Sequence, residues 1–390
     1  MANFIKKFFS GIGAIKRKSG TYIKIHTINE LLDLPNRELP NYKKVHNVDL
    51  SELDLSKYEN MFSGELPNTL YVTQKEAAEH NIITDWTDKV IWPTKDNLPK
   101  GINPEKILEE AKQTPEIKKM HEIGRTGRGI NIAIIDQRLN TRHPEYASNI
   151  KLYKIIPSFI KHNNIEYHGS LVSGIAVGHT TGVAPNANLY YYSAPSSEIL
   201  PDGTRVRSRK YVMKALKEII KFNQTHSDAE KIRFLSCSWG GPDDLHAQEC
   251  KQLFDMCKQN GIKVIGGAYE PQKAMHFDRR YPNKTKEIGV PTDGKTTSFW
   301  QGGFKYTRQG GYSSVCPYLA GVFACACQDN QIFFTRPKWQ DELTQILQDT
   351  AIESEHGGKM ITPIAICERV TQIAHEMELQ LAQQKRTQHE

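Results

Sequence analysis

Ile132-Ala133-Ile134-Ile135 is a short β-branched run with no turn residue inside it, and it ends on a carboxylate, Asp136. A strand with one face in water alternates apolar and polar residues, whereas an unbroken apolar run specifies a strand covered on both faces, as in a parallel sheet. The turn signal Gly127-Arg128-Gly129 stands just ahead of it. A carboxylate at the end of such a strand is placed to orient an imidazole.

Two further segments supply partners for that carboxylate. His168 follows 32 residues later and opens a stretch, through Gly178, whose small and apolar residues recur at helical spacing. The imidazole therefore belongs at a helix N-terminus facing the strand ends. In Gly311-Tyr312-Ser313-Ser314-Val315-Cys316-Pro317, Gly311 permits close backbone approach and Pro317 suits a helix's first turn, while Leu319, Ala320, Val322 and Phe323 supply a buried side. The Ser313 hydroxyl would lie beside amides that point outward at a helix start, where developing negative charge is favoured. Each residue alone also fits an ordinary cap or strand end; it is the three together, in order, that point to nucleophilic catalysis.

These segments resemble the three motifs of the subtilisin-like serine peptidases, the subtilases. The chain order Asp, His, Ser matches that family, with Asp136 on its Asp motif, His168-Gly169-Ser170 on its His motif and Gly311 to Pro317 on its Ser motif. Gly182-Val183-Ala184-Pro185-Asn186-Ala187, Ser238-Trp239-Gly240-Gly241, Tyr281-Pro282 and Met360-Ile361-Thr362-Pro363 match connecting landmarks, so the resemblance runs from about residue 115 to 372. It implies an α/β fold with a doubly wound, mainly parallel sheet and helices on both faces, plus an N-terminal extension. It also implies a serine endopeptidase that acts on a peptide or protein substrate, in which Ser313 attacks a carbonyl, His168 takes and returns the proton, and Asp136 holds the imidazole.

The chain departs from the family in ways that bear on catalysis. Subtilases supply an oxyanion-hole asparagine after a buried strand, and in the matching stretch Val264-Ile265-Gly266-Gly267-Ala268-Tyr269-Glu270 a tyrosine, Tyr269, stands in its place. The Asp motif continues as Asp136-Gln137-Arg138, with a cation where glycine is usual, and Tyr312 precedes the nucleophile where threonine is usual. These changes fit a specialised processing protease, and equally a catalytically impaired protein of the same fold that binds peptides or regulates a partner. Cys316 is a rival nucleophile on paper, but the register set by Gly311 and Pro317 puts Ser313 first, with Cys316 as a packed residue.

In this family, segments matching Ser238-Trp239-Gly240 and Gly266-Gly267-Ala268 flank an extended peptide and line its pockets, which makes these six residues the expected substrate-binding set. Trp239 reads as a pocket wall or as core packing. No metal or other cofactor is expected: Val177 to Gly182 is too short for the calcium loop that many subtilases insert after the His helix, and no ligand pair has zinc spacing.

The net charge of +7 suggests nucleic acid until it is located. Residues 1–29 hold Lys6, Lys7, Lys16, Arg17, Lys18 and Lys24 with no acid, which leaves 45 basic against 44 acidic residues elsewhere. No nucleic-acid surface is implied. Phe4, Ile5, Phe8, Phe9, Ile12 and Ile15 interleave with those lysines at spacings of three and four, so residues 1–18 read as an amphipathic helix in peripheral contact with a membrane or docked on the body. The expected organisation is a basic segment (1–29), an extension or prodomain-like region (30–105), a catalytic domain (106–373) and a polar tail (374–390) whose helix frays into solvent. Proline-started helices are expected from Pro104 through Lys112 and from Pro115 through His121. Seven cysteines, an odd number without a Cys-Xaa-Xaa-Cys pair, suit the reduced thiols of a cytoplasmic protein. No feature of the sequence sets an oligomeric state.

Overall fold

A computed structural model describes residues 22–24, 46–49, 54, 56, 82–92, 94, 103–157, 165–195, 197–199, 205–239, 246–266, 274–276, 287–307, 310–354 and 357–387. The chain divides into two compact units, Met1–Ile107 with Lys305–Arg308, and Leu108–Phe304 with Gln309–Glu390. In the first, Tyr22–Lys24 (β1), His46–Asp49 (β2) and Ile82–Thr87 (β3) pair in parallel. Lys305 and Tyr306 add an antiparallel partner to β3, where Tyr306 stacks on Trp86 with ring centroids 4.2 Å apart.

The proline-started helices form at Pro104–Glu110 (α1) and Pro115–Glu122 (α2). Thr114 caps α2, its hydroxyl oxygen accepting from Ile117 N at 3.3 Å, so one of the helix's first amides gains an acceptor. The apolar run then forms Asn131–Asp136 (β4), in which every residue is buried.

Onward from β4 come Ile150–Ile155 (β5), the helix Tyr167–Val177 (α3), Asn188–Ser193 (β6) and a small hairpin of Ser197–Ile199 (β7) and Arg205–Arg207 (β8). Lys210–Thr225 (α4), Ile232–Cys237 (β9), Ala247–Gln259 (α5) and Lys263–Gly266 (β10) follow. Five of these strands build one sheet in the order β10-β9-β4-β6-β5, parallel throughout. The chain starts at the central strand, fills one side, and then crosses to the other. The order therefore reverses around β4, and such a switch point opens a crevice at the carboxyl ends of the strands.

Successive side chains of a strand point to opposite faces, and the core follows that rule. Ile132, Ile134, Leu189, Tyr191, Phe234 and Ile265 enter one apolar cluster with α2 and α3, whereas Ala133, Ile135, Tyr192, Leu235 and Val264 enter a second cluster with α4 and α5. The fold is thus a doubly wound α/β sheet with helices on both faces.

Three helices complete the first cluster. Tyr312–Cys327 (α6) is buried at every position from Ser314 onward; a helix apolar all round belongs in the middle of a core, and each large side chain buried there stabilises the fold by about 1.5–3 kcal/mol. Trp339–Thr350 (α7) and Pro363–Thr387 (α8) pack beside it. The last helix buries Ile366, Cys367, Val370, Ile373 and Ala374, spaced at three and four; beyond Met377 it continues as an exposed helix to Thr387. All seven cysteines are free and buried.

Candidate active site

Asp136 is the last residue of β4, and His168 is the second residue of α3. Their side chains meet: Asp136 Oδ1 lies 2.8 Å from His168 Nδ1. The carboxylate is buried, with only 4% of its side chain exposed against 26% for the imidazole. Asp136 Oδ1 also accepts from Gln137 N at 2.7 Å, a second bond that holds the carboxylate's orientation. With Nδ1–H donating to the carboxylate, the tautomer that remains leaves Nε2 as a proton acceptor.

Ser313 lies in the first turn of α6, which starts one residue earlier at Tyr312 behind the extended N-cap Gly311 (φ −154°). Pro317 is therefore not in the first turn, as the sequence implied, but one turn further in. A proline at that point removes the N–H that would bond to the carbonyl four residues back, which is that of Ser313. The Ser238 hydroxyl fills the vacancy, donating to Ser313 O at 2.9 Å. In return the Ser313 hydroxyl donates to the Ser238 carbonyl at 3.2 Å. Ser238 directly follows β9, so the two bonds tie the nucleophile candidate to the end of the strand beside β4. Among the described residues the Ser313 hydroxyl bonds to the Ser238 carbonyl and not to His168.

Close packing surrounds this corner. Burial pushes the Cys316 thiol up to about 12; a hydrogen bond involving Ser238 opposes the shift and the Asp136 charge adds to it. At neutral pH the thiol keeps its proton and is no nucleophile. Gly266, at the end of β10, has φ +94°, and a Cβ there would collide with the Cys237 carbonyl oxygen and with Cys316 Sγ at 2.6 Å. Only glycine fits both the conformation and the gap.

Tyr191, fully buried on β6, donates its hydroxyl to the Gln137 carbonyl. The same hydroxyl fills the space where a Cβ on Gly169 would go, which explains the glycine after His168. Burial, and then the Asp136 charge, raise the Tyr191 pKa well above its ordinary value, so the phenol stays a donor.

Of the expected substrate-binding residues, Ser238 and Gly266 take the positions just given. Trp239 is half-buried against the second core cluster, with the Arg209 guanidinium 4.0 Å from its ring centre and Phe254 stacked at 5.9 Å. Gly240, Gly267, Ala268 and Tyr269 lie outside the described residues, as do residues 1–18. Among the described residues no helix is long and apolar enough to cross a membrane.

Three supporting residues escaped the sequence reading. Tyr191 sits in an apolar strand pattern with nothing to mark its hydroxyl, and Arg209 precedes a helix as any surface cation does. The third, Glu145, is a buried carboxylate that accepts from Thr180 N at 2.9 Å, Thr180 Oγ1 at 2.8 Å and Thr181 N at 3.0 Å. It closes the short turn after α3, where the sequence showed only that an inserted loop was missing.

Residues 127–268 match the family model of the subtilases, a span that holds Asp136 and His168 and ends before Ser313. Subtilisin-like protease PopC of Myxococcus xanthus (strain DK1622) is 31% identical over 90 residues, which cover 20% of this chain and 19% of PopC. Among solved structures, the prenylagaramide maturation protease PagA superposes with a TM-score of 0.49 at 17% identity, over 66% of this chain and 99% of that one. A cold-adapted subtilisin-like serine proteinase gives 0.44 at 18% identity over 60% and 89%. The patellamide maturation protease PatA gives 0.45 at 15% identity over 63% and 97%.

Proposed function

We propose that the protein is a serine endopeptidase with Asp136, His168 and Ser313 as its catalytic triad. The observation that carries this reading is the 2.8 Å bond between Asp136 and His168 at the carboxyl end of the central strand. During attack the Ser313 hydroxyl leaves the Ser238 carbonyl and gives its proton to His168 Nε2 as its oxygen bonds to the substrate carbonyl carbon. The tetrahedral intermediate collapses as His168 returns that proton to the departing amine, leaving an acyl-enzyme. Water, deprotonated by the same imidazole, releases the acid and restores Ser313. The Ser313 amide, in the first turn of α6 ahead of the Ser314 amide that donates to Gly311 O, supports the oxyanion.

An extended peptide would lie beside Ser238 to Gly240 and Gly266 to Ala268, gaining main-chain hydrogen bonds whatever its side chains. The bulky side chains that the sequence places at Arg138, Tyr269 and Tyr312, where the family has smaller residues, support a processing role over bulk degradation. Seven free buried thiols support a reducing, cytoplasmic setting. Residues 1–18 form the contact with a membrane surface; co-sedimentation with anionic liposomes that survives their deletion would remove that assignment.

The bond from Ser313 to Ser238, in place of one to His168, favours a second reading: a peptide-binding protein with negligible turnover. A serine-directed fluorophosphonate separates the two. Labelling of the wild-type chain at Ser313, absent in Ser313→Ala, is the expected result. A folded wild-type chain that takes no label removes the peptidase and leaves the binder.

A further inference from the structure

Where β9 and β10 begin, at the opposite end of the sheet from Asp136, the second unit holds an open, solvent-accessible cavity of about 480 Å³. Lys231, Arg233, Lys258, Arg336 and Lys338 line it, against a single lining carboxylate, Asp228. Two more acids stand nearby: Asp341 pairs with Lys258 at 2.6 Å, and Glu342 holds Nε and Nη2 of Arg336 at 2.6 and 2.9 Å. Asp228 is shared between Lys231 and Arg233. Five cations thus face three carboxylates, and donors are left over. Arg233 Nη1, Arg336 Nη1 and Lys338 Nζ make no hydrogen bond among the described residues.

The surroundings fit these donors to an anion. Arg233 is buried, with its guanidinium 4.4 Å from the centre of the Phe334 ring, so its direction is set in advance. Lys338 takes a left-handed backbone (φ 60°) and is the N-cap of α7, where no side chain caps the helix, and Trp339 and Gln340, whose amides come next, line the cavity. The helices α4 and α5 end here as well, but carbonyls at those ends are already engaged: Phe222 O accepts from His226 Nδ1, and Lys258 O from Gln340 Nε2. Excess cations, pre-oriented guanidinium forks and an uncapped helix start together select oxyanions. The volume is in the range of small-molecule sites, about 300–1,000 Å³.

We propose that this cavity binds a small, multiply charged phosphate compound, an oligophosphate or a phosphate ester. The site is remote from Ser313 and stands whether or not Ser313 turns over. Calorimetric titration of the full chain with inorganic tripolyphosphate, at a salt concentration of about 0.1 M to screen diffuse attraction, tests it. Saturable one-to-one binding is expected, weakened roughly tenfold in Lys338→Gln and further in Lys338→Glu. Lys338 is exposed, so both variants should fold, which circular dichroism checks. Wild-type protein that binds no tripolyphosphate at millimolar concentration overturns the proposal. So does an affinity unchanged in Lys338→Glu, which would place the binding elsewhere, as on the basic residues 1–18. An aspartate-rich peptide that competes on equal terms would overturn the phosphate class.

Discussion

The Ser238 hydroxyl donates at 2.9 Å to the Ser313 carbonyl, the acceptor that Pro317 leaves open inside α6. A helix start is thereby fastened to a strand end by a residue 75 positions away. Ser238→Ala removes the donor and should cost about 1–2 kcal/mol in urea unfolding, the penalty for an unsatisfied buried acceptor. Pro317→Ala restores a helical N–H to the same carbonyl. In the double variant Ser238→Ala with Pro317→Ala, the loss attributable to Ser238 should shrink toward zero; additive losses would show that the bond carries no such weight.

Asp136→Asn keeps the shape of the strand end but presents an amide that can donate, so the imidazole loses its preference for a protonated Nδ1. Fluorophosphonate labelling of Ser313 should slow by roughly 10³–10⁴-fold, the order seen when a serine hydrolase base is held in the wrong tautomer. Circular dichroism should be unchanged. A labelling rate within a few-fold of wild type would mean that Asp136 does not orient the base.

Cys316 should resist alkylation by iodoacetamide at pH 8 in the folded protein and react once the chain is unfolded, followed by mass spectrometry. Its folded pKa is about 12 against 9.0 for an unperturbed thiol. In the intervening window the unfolded chain has released this proton and the folded chain has not. Its contribution to stability is therefore complete below pH 9.0 and is lost as pH rises toward about 12. Rapid modification at pH 8 under native conditions would show that the thiol is neither buried nor protonated.

What could be read from the residues alone was what local chemistry demands. Ile132 to Ile135 identified a doubly covered strand because no polar residue interrupts it, and His168 and Ser313 stood out because small residues and helical patterns follow each. Pro317 was legible as helical punctuation, but its consequence was not, since the hydroxyl that answers it comes from a distant strand. Tyr191 and Glu145 went unseen for the same reason: burial and long-range acceptors give a tyrosine or glutamate its function, and no local pattern encodes them. The polar tail from Ala374 reads as a helix reaching into solvent, and α8 does run through it to Thr387, carried by its anchored, apolar first half.

Gly266→Ala tests the packing behind the site. The positive φ already disfavours a side chain, and the added Cβ would press on Cys316 Sγ and on the carbonyl that ends β9. Thermal and urea unfolding should show a loss of about 2–4 kcal/mol, as for overpacking combined with backbone strain. Because Cys316 lies one turn past Ser313, labelling of Ser313 should slow as well. Wild-type stability would mean that β10 can move away from α6 at little cost.

Glu145 gives the clearest separation of fold from chemistry. Its carboxylate gathers the amides of Thr180 and Thr181 and the Thr180 hydroxyl, while its own carbonyl accepts from His179 N at 2.7 Å. Glu145→Gln keeps the volume and an oxygen that can accept from the Thr180 and Thr181 amides, with its NH₂ toward the Thr180 hydroxyl, which can turn to accept, whereas Glu145→Ala leaves the two amides without their side-chain acceptor. Each unsatisfied buried donor costs about 1–3 kcal/mol, so the alanine variant should lose more stability than the glutamine variant, and both should lose more than a surface substitution such as Lys217→Gln. The turn is at the far end of α3 from His168, nine residues beyond which Val177 ends the helix. Folded Glu145→Gln should therefore label at Ser313 at the wild-type rate at temperatures well below its unfolding transition. A variant that is stable yet unreactive would instead show that this turn governs the position of the imidazole.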